Sequence, residues 1–264
     1  MKKFSSLLIV LLLMLTSFKA GAEDIRGDVN RDGTVDITDV TWLINYLLHG
    51  TWYDDPVDNH EWVDLGLPSG TLWATCNVGA SSPEGYGGYF AWGETAPKDY
   101  YDYTYKWYKE GYYDANNSWH NGGLTKYCTY AYDGYDGFTD GKTELDPSDD
   151  AATANWGSGA RMPSLEQIKE LRDNCSWQWT QRNGVYGRQG IGPNGNTIFL
   201  PAAGYRWRGS LNDAGSDGLY WSRTLHPDNS YDAYILNFYS GGVNWDDSRR
   251  FYGHPVRAVR VSQN

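Results

Sequence analysis

The chain has 264 residues, and its 33 acidic and 22 basic side chains give a formal net charge of −11 at pH 7. This charge excludes nucleic acid as the expected partner, because binding to phosphates relies on basic surfaces. Aromatic residues make up 16% of the chain, so we expect the core to depend on large rings. Three cysteines permit at most one internal disulfide, which excludes a disulfide-stabilised scaffold.

The first 22 residues have the order of a secretory signal. Lys2 and Lys3 precede an apolar run over residues 7–15 and small residues at 20–22, with cleavage expected after Ala22. The apolar run is too short to span a membrane, which takes about 20 residues. We therefore expect a secreted protein with no membrane span, located in the periplasm, at the cell surface or outside the cell.

The segment DVNRDGTVDITD at residues 28–39 has the spacing of a calcium-binding loop. Calcium takes oxygen ligands at fixed positions around a sharp turn, and Gly33 stands where the loop needs that turn. The predicted ligands are Asp28, Asn30, Asp32, the carbonyl oxygen of Thr34, Asp36 and Asp39. Because the ligand types, the spacing and the glycine agree together, the sequence predicts Ca²⁺ as a cofactor.

An amphipathic helix is predicted directly after the loop and ends before Gly50. With Asp at the last loop position, residues 26–50 resemble one dockerin repeat, the calcium module of cellulosome-type assemblies. Dockerins carry two such repeats, whereas one is found here, and Ile37 and Thr38 stand where many dockerins place partner-contacting Ser or Thr. The resemblance implies a cohesin-like partner. We assign residues 23–50 to a dockerin-like half repeat and residues 51–60 to a linker.

From residue 61 onwards the pattern favours strands and turns. Hairpins are predicted around residues 68–70, at Asn183-Gly184 and at Gly241-Gly242. One helix is predicted after Ser164, which begins a capping box, and a shorter one is predicted near Asp150. Residues 84–147 are rich in Gly, Tyr and Asp, and we expect long ordered loops that aromatic packing holds in place.

Six segments of the large domain carry a family resemblance. They are WVDLGLPSGTLWATCNVGA, GGYFAWGET, DDAATANWGSGARMPS, IFLPAAGYR, GLYWSRT and GHPVRAVRV, in this order. Together they resemble the Fibrobacter succinogenes major paralogous domain, which is abundant in secreted proteins of the Bacteroidetes and Fibrobacteres, and we assign residues 61–264 to it. The resemblance implies an α+β, C-type-lectin-like domain with mixed antiparallel sheets, two helices and long loops.

The sequence contains no HExxH, CxxC, GxSxG or P-loop motif. Formylglycine-generating enzymes, which are related to the fold that the resemblance implies, use a pair of cysteines late in the chain, and no cysteine follows Cys175 here. Asp149, Asp150 and Glu166 carry carboxylates that suit either a glycosidase pair or helix capping, and we expect capping. We therefore expect a non-enzymatic binding module. A secreted carbohydrate-active or modifying enzyme and a purely structural assembly component at the cell surface are the alternatives.

Two groups of residues are candidate ligand contacts. Tyrosines between residues 100 and 105 suit a surface on which sugar rings stack, with core packing as the alternative. The segments 226–229 and 244–247 resemble the calcium-dependent sugar site of C-type lectins without matching it, and turns favour the same residues. The candidates are Tyr100, Tyr101, Tyr103, Tyr105, Trp107, Asp228, Asn229, Asn244, Trp245 and Asp246. Their expected ligand is a glycan or a surface or secreted protein.

Overall fold

The computed structural model describes residues 29, 35, 37–49 and 60–261. The predicted signal peptide, nearly all of the predicted linker and most of the predicted calcium loop lie outside these residues. The chain divides into two compact units, Met1–Val57 and Asp58–Asn264. Among the described residues, no helix is long and apolar enough to cross a membrane.

The described part of the first unit contains one helix, α1 (Ile37–His49). The helix occupies the place that the apolar periodicity predicts. Asp39 lies in its first turn, where a carboxylate interacts favourably with the positive end of the helix dipole. The last predicted ligand of the loop is therefore also part of the helix.

In the described part of the second unit, fifteen strands form six small antiparallel sheets. The three-stranded sheets contain β1 (Trp62–Asp64), β2 (Thr71–Ala74) and β15 (Val259–Val261); β7 (Ser176–Arg182), β8 (Val185–Ile191) and β9 (Thr197–Pro201); and β12 (Asp217–Leu225), β13 (Asp232–Tyr239) and β14 (Gly242–Arg249). The two-stranded sheets pair β3 (Tyr108–Lys109) with β6 (Gly123–Leu124), β4 (Tyr112–Tyr113) with β5 (Trp119–His120), and β10 (Tyr205–Trp207) with β11 (Ser210–Asn212).

The predicted hairpins are confirmed. Strands β1 and β2 pair around the turn at residues 68–70, and β7 and β8 pair around Asn183-Gly184. Strands β13 and β14 pair so that Tyr239 lies opposite Gly242. Strand β15 pairs with β2, so the beginning and the end of the large unit share one sheet.

Helices α2 (Ala151–Trp156) and α3 (Leu165–Asn174) lie between β6 and β7, together with the 3₁₀ turn Pro147–Asp149. The predicted capping box is confirmed. The Ser164 hydroxyl accepts the backbone N–H of Gln167, and the Gln167 side chain accepts the backbone N–H of Ser164. Two otherwise unpaired donors of this helix end are thereby satisfied.

The predicted fold class, an α+β C-type-lectin-like domain, is wrong. Helices α2 and α3 have 6 and 10 residues, whereas fifteen strands in six separate sheets provide most of the regular structure in the described residues of the large unit. Helical periodicity is confined to two capped segments, and the Gly- and Tyr-rich sequence around them favours short strands and turns. The large unit is β-rich and is built from small antiparallel sheets.

Tryptophan side chains bridge separate parts of the core. The indole N–H of Trp92 donates to the carbonyl oxygen of Ser222 at 2.8 Å, and the indole N–H of Trp221 donates to the carbonyl oxygen of Phe90 at 2.7 Å. Both rings are fully buried. Each ring therefore contributes apolar contact and also satisfies its own polar atom.

Tyrosine hydroxyls fix the long irregular segment at residues 84–147 in the same way. The hydroxyl of Tyr89 donates to the carbonyl oxygen of Ala203 at 2.5 Å, and the hydroxyl of Tyr101 donates to the carbonyl oxygen of Tyr89 at 2.5 Å. Burial raises the pKa of both phenols, which keeps them neutral donors. Aromatic side chains thus order a segment that has little regular structure.

Two arginines, Arg250 and Arg257, are fully buried, each with an exposed fraction of 1%. The Arg257 guanidinium donates to the side-chain oxygen of Asn77 at 2.8 Å and to the carbonyl oxygens of Ala74, Thr75 and Phe199 at 3.0, 2.7 and 3.1 Å. Buried cations need such compensation, because losing water is costly. Arg257 therefore connects β2 to β9 at the centre of the large unit.

All three cysteines, Cys76, Cys128 and Cys175, lie within the described residues and are free thiols. The single disulfide that the sequence permits is not formed in the structure.

His254 is buried and gives the large unit a predicted pH dependence. Its Nε2 lies 2.8 Å from the Ser248 hydroxyl, its ring packs against Trp221 at 4.4 Å, and its Nδ1 has no hydrogen-bond partner within the described residues. Burial lowers the pKa of His254 to about 3. The unfolded chain binds this proton near pH 6.5, so the contribution of His254 to stability is complete above about pH 6.5 and falls with decreasing pH by up to about 1.4 kcal/mol per unit.

Urea unfolding of the full mature chain across this pH range tests the prediction. We expect a shallower dependence of the free energy of unfolding on pH in His254→Gln than in the parent protein. An NMR titration gives an independent readout that does not depend on the variant. An imidazole of His254 that titrates near pH 6.5 in the folded protein would contradict the prediction.

Candidate calcium site and ligand-binding surfaces

Asp39 is the member of the predicted calcium ligand set that the structure describes. Asp28, Asn30, Asp32, Thr34 and Asp36 lie outside the described residues. The Asp39 side chain is buried, and its Oδ1 accepts the backbone N–H of Val29 at 2.6 Å. Val29 and Asp39 are the second and last positions of the twelve-residue loop, so this hydrogen bond holds the two ends of the loop together.

The residues of the loop fit calcium by their chemistry. A buried carboxylate at the last loop position suits a hard cation that binds oxygen, and the other predicted ligands are also oxygen donors. Elsewhere, no three or more His, Cys, Asp or Glu side chains in the described part of the chain are grouped to hold a metal ion. The calcium prediction therefore depends on the loop alone.

Helix α1 carries apolar side chains on an exposed face. Ile37, Val40 and Ile44 have exposed fractions of 74%, 49% and 50%, whereas Leu43 is buried. Residues spaced by three, four and seven positions share one side of a helix. The three side chains therefore form a stripe, which we call the α1 face, and a stripe of this kind is typical of a contact surface.

The structure separates the predicted aromatic group at residues 100–107. Tyr101 and Tyr105 are buried in the core, and their hydroxyls donate to the carbonyl oxygens of Tyr89 and Trp92. Their prediction as ligand contacts is corrected accordingly. Tyr100 and Tyr103 remain exposed, at 51% and 61%.

Trp107, the last residue of that group, is half-buried. Its indole N–H donates to the carbonyl oxygen of Gly93 at 3.0 Å. The ammonium groups of Lys106 and Lys126 lie 4.3 and 5.0 Å from its ring centroid. A cation over an aromatic face is an attractive contact. The Trp107 ring is therefore held by contacts with other residues of the protein.

Tyr103 lies at a small aromatic crevice next to Phe251, with ring centroids 4.7 Å apart. The crevice encloses about 250 Å³, counting the part open to solvent. Arg250 also lines it, but its guanidinium N–H groups donate to the Tyr105 hydroxyl and to three main-chain carbonyls. The Arg250 donors are therefore already used within the protein and do not orient a ligand in the crevice.

The segments 226–229 and 244–247 meet on the sheet of β12, β13 and β14. The ring of Tyr234 lies 5.1 Å from that of His226 and 5.7 Å from that of Trp245. Lys169 of α3 places its ammonium 5.3 Å from the Trp245 ring. Pairing of β13 with β14 thus forms one surface from two segments that are separate in sequence.

Within this surface several of the predicted ligand contacts have structural roles. The Asn229 side chain donates to Asp232 at 2.5 Å and stabilises the turn before β13. The Asn244 oxygen accepts from Arg172 at 3.0 Å and from the Trp245 backbone N–H at 2.9 Å, and Asp246 accepts the N–H of Asp247. Asp228 and Trp245 remain exposed. Exposed ring and carboxylate groups are thus available here, without a metal-binding arrangement among the described residues.

The carboxylates considered for hydrolysis have separate roles. Asp150 caps α2 by accepting the N–H groups of Ala152 and Thr153, as the capping interpretation predicts. Burial raises the pKa of Asp150. Glu166 is exposed and pairs with Lys169 at 2.9 Å.

Asp149 forms an ion-pair cluster next to this cap. Lys126 and Lys106 lie 2.5 and 3.1 Å from its oxygens, and the Tyr127 hydroxyl donates at 2.7 Å. Burial acts to raise the pKa of Asp149, but the lysine contacts, led by Lys126, and the tyrosine contact hold it below its usual range. A carboxylate held ionised by two cations is suited to a structural role.

Comparison with known families finds one match, near the beginning of the chain. The model of the dockerin type I domain matches residues 26–61. Dockerin type I domains bind calcium, so the match confirms the dockerin-like part of the prediction and supports Ca²⁺ as its ion. The match extends beyond the predicted repeat and covers a small part of the chain, which we call the dockerin segment.

No curated protein matches the chain, and no solved structure matches it. The resemblance of residues 61–264 to the Fibrobacter succinogenes major paralogous domain therefore receives no support beyond the sequence segments that suggest it.

Sequence reasoning missed the hairpin of β4 and β5. Tyr113 and Trp119 lie opposite each other on it, with exposed fractions of 65% and 53%. The signal was present as two adjacent aromatic positions on either side of a polar turn, in YYDANNSWH. Such a pattern predicts a hairpin with aromatic cross-strand pairs.

Proposed function

We propose that this protein is a secreted, non-catalytic binding component, which the dockerin segment attaches to a cohesin-bearing partner in the presence of calcium. The observation that carries the proposal is the dockerin match at residues 26–61, and the buried Asp39 at the end of the loop supports it. Dockerin domains bind cohesins, and proteins that carry them are typically extracellular or on the cell surface. The predicted signal at residues 1–22 agrees with this location.

In the dockerin segment, calcium binding and helix position are coupled through Asp39. The predicted ligands, from Asp28 to Asp39, would supply oxygen donors to Ca²⁺. Asp39 is in the first turn of α1 and accepts the Val29 N–H, so its carboxylate would link a bound ion to the start of the helix. The α1 face is then held in one orientation, and we infer that this face contacts the cohesin.

The large unit is proposed to hold a glycan or protein ligand without transforming it. Asp149 is paired with lysines, Asp150 caps a helix and Glu166 pairs with Lys169. These engaged carboxylates support a binding role over hydrolysis. An exposed aromatic surface suits sugar or protein contacts, since rings provide large contact area at low entropic cost.

The test is surface plasmon resonance with the full mature chain immobilised and a type I cohesin domain as analyte. We expect binding in millimolar calcium, loss of binding with EDTA, and recovery when calcium is restored. Ile44→Asp should weaken the complex, because it places a charge on the α1 face. The matched control is Ile191→Asp, which changes an exposed isoleucine of the large unit and should leave cohesin binding unchanged.

Absence of cohesin binding, or binding that is equal with and without calcium, would reject attachment through the dockerin segment. The alternative of a carbohydrate-active enzyme is tested with the same protein by incubation with plant polysaccharides. Release of reducing sugar would reject the non-catalytic role.

A further inference from the structure

The hairpin of β4 and β5 presents two aromatic pairs on opposite faces. Tyr112 lies opposite His120, and Tyr113 lies opposite Trp119. Successive side chains of a strand point to opposite faces, so each pair occupies its own side of the hairpin. The two sides have different surroundings, and this difference indicates their roles.

One face is anchored to the protein. The rings of Tyr112 and His120 stack at 4.7 Å with an interplanar angle of 9°. The His120 Nδ1 lies 2.5 Å from Asp136, its Nε2 lies 3.6 Å from Asp114, and Lys109 lies over the Tyr112 ring. The bond with Asp136 raises the pKa of His120, as expected for an imidazole between carboxylates. These contacts fix the hairpin against the 3₁₀ turn Tyr135–Gly137.

The other face is exposed and ordered. Tyr113 and Trp119 have ring centroids 4.9 Å apart at 55°. The Trp119 indole N–H donates to the side-chain oxygen of Asn121 at 2.9 Å, which fixes the edge of the ring. The ring also lies against the backbone of Gly111, because a Cβ there would be 2.6 Å from its Cζ2 atom. One side of the indole is therefore supported by the protein while the pair stays more than half exposed.

Polar residues form the turn that directly follows Tyr113 and precedes Trp119. The turn between the strands exposes Asn116, Asn117 and Ser118. Asp114 holds this turn by accepting the N–H groups of Asn116 and Ser118 at 2.9 and 2.8 Å. Amide and hydroxyl groups at the border of an aromatic surface are suited to sugar hydroxyls, while the rings are suited to the apolar CH faces of pyranoses.

We propose that Tyr113 and Trp119 form an oligosaccharide-binding platform, with the rings stacking on sugar and the turn amides donating to its hydroxyls. This proposal rests on the non-catalytic binding role given above and names its ligand class and its site.

The size of the surface favours a sugar over a protein. Rings of this type bury about 150–250 Å² each when fully covered. At exposed fractions of 65% and 53%, the pair therefore offers on the order of 200–300 Å² in total. A stable protein interface needs about 800 Å² on each partner, whereas a di- or trisaccharide covers an area close to that of the two rings.

The experiment uses the full mature chain and four probes, cellohexaose, xylohexaose, mannohexaose and maltohexaose, measured by isothermal titration calorimetry. We expect at least one probe to bind. Tyr113→Ala and Trp119→Ala should each weaken that binding by more than about tenfold, the scale at which aromatic anchors act in binding sites. Gly111→Ala keeps both rings and should also weaken binding, because the added methyl would lie 2.6 Å from the Trp119 indole and 2.7 Å from the His120 carbonyl oxygen, so the ring and the hairpin backbone must both shift.

The control is Tyr132→Ala, which removes an exposed tyrosine, at 76%, from outside the platform. Its binding should equal that of the parent protein. NMR signals of the His120 imidazole report whether the hairpin is still anchored in each variant. Cohesin binding in calcium is measured in parallel, since the platform variants should retain it.

Two outcomes would reject the proposed sugar-binding platform. One is a parent protein that binds cohesin and none of the four probes, which leaves attachment intact and removes the sugar site. The other is equal probe affinity in Tyr113→Ala, Trp119→Ala and the parent protein while the His120 signals show an intact hairpin. Failure of cohesin binding with retained sugar binding rejects the attachment role alone.

Discussion

Arg257→Met is expected to lower the free energy of unfolding of the large unit by at least about 3 kcal/mol. The guanidinium is 1% exposed and serves four acceptors, on Ala74, Thr75, Phe199 and Asn77. Methionine fills much of the same space but donates no hydrogen bond. Several buried acceptors then lose their donor, and each such loss costs about 1–3 kcal/mol.

Burial lowers the pKa of Arg257, because the charged form is penalised away from water. The acceptors compensate that penalty, so the expected effect arises from hydrogen bonding and not from charge alone.

Urea unfolding of the full mature chain, followed by tryptophan fluorescence, measures the change. The matched control is Arg182→Met, because Arg182 is half exposed and lies 3.6 Å from Glu84. It should change stability by less than about 1 kcal/mol. Equal effects of the two substitutions would contradict the role given to Arg257.

Asp39→Asn is expected to weaken calcium binding by more than about 100-fold. Loss of a group that only orients a metal ligand already lowers metal affinity by about 10- to 100-fold, and Asp39 is itself a predicted ligand. The substitution keeps the shape of the side chain and removes its charge. It also weakens the acceptor of the Val29 N–H, which holds the loop ends together. Calcium affinity of the full mature chain, measured by calorimetry, should fall accordingly, and cohesin binding should fall with it.

Glu166→Gln is the control for this prediction. Glu166 is an exposed carboxylate of the large unit, and its removal changes net charge by the same amount. Calcium affinity should therefore be unchanged in the control. A normal calcium affinity in Asp39→Asn would show that the ion is bound elsewhere.

Local features were predictable from the sequence, because their causes are local. The capping box at Ser164 depends on residues three positions apart, and the hairpin at Asn183-Gly184 depends on two turn residues. The calcium loop is likewise a spacing within twelve residues, and the dockerin match supports it. In each case the physical cause lies within one turn or one loop.

Long-range features were not predictable in this way. Tyr100 and Tyr101 are neighbours, yet one is exposed and the other buried, because the backbone of Tyr101 pairs with that of Arg208. The pairing of β2 with β15 joins distant parts of the chain. Nothing in the local sequence marks Arg257 as a core residue, since arginine is mostly found at the surface. The wrong fold class has the same origin, since the arrangement of small sheets depends on such pairings.

We propose that calcium organises the dockerin segment and not the large unit. Hydrogen exchange of the full mature chain, compared in calcium and in EDTA, measures both parts in one experiment. We predict that amides of α1 become protected when calcium is present, while protection across residues 60–261 stays the same. Equal protection of α1 in both conditions, or a calcium-dependent change confined to the large unit, would contradict the claim.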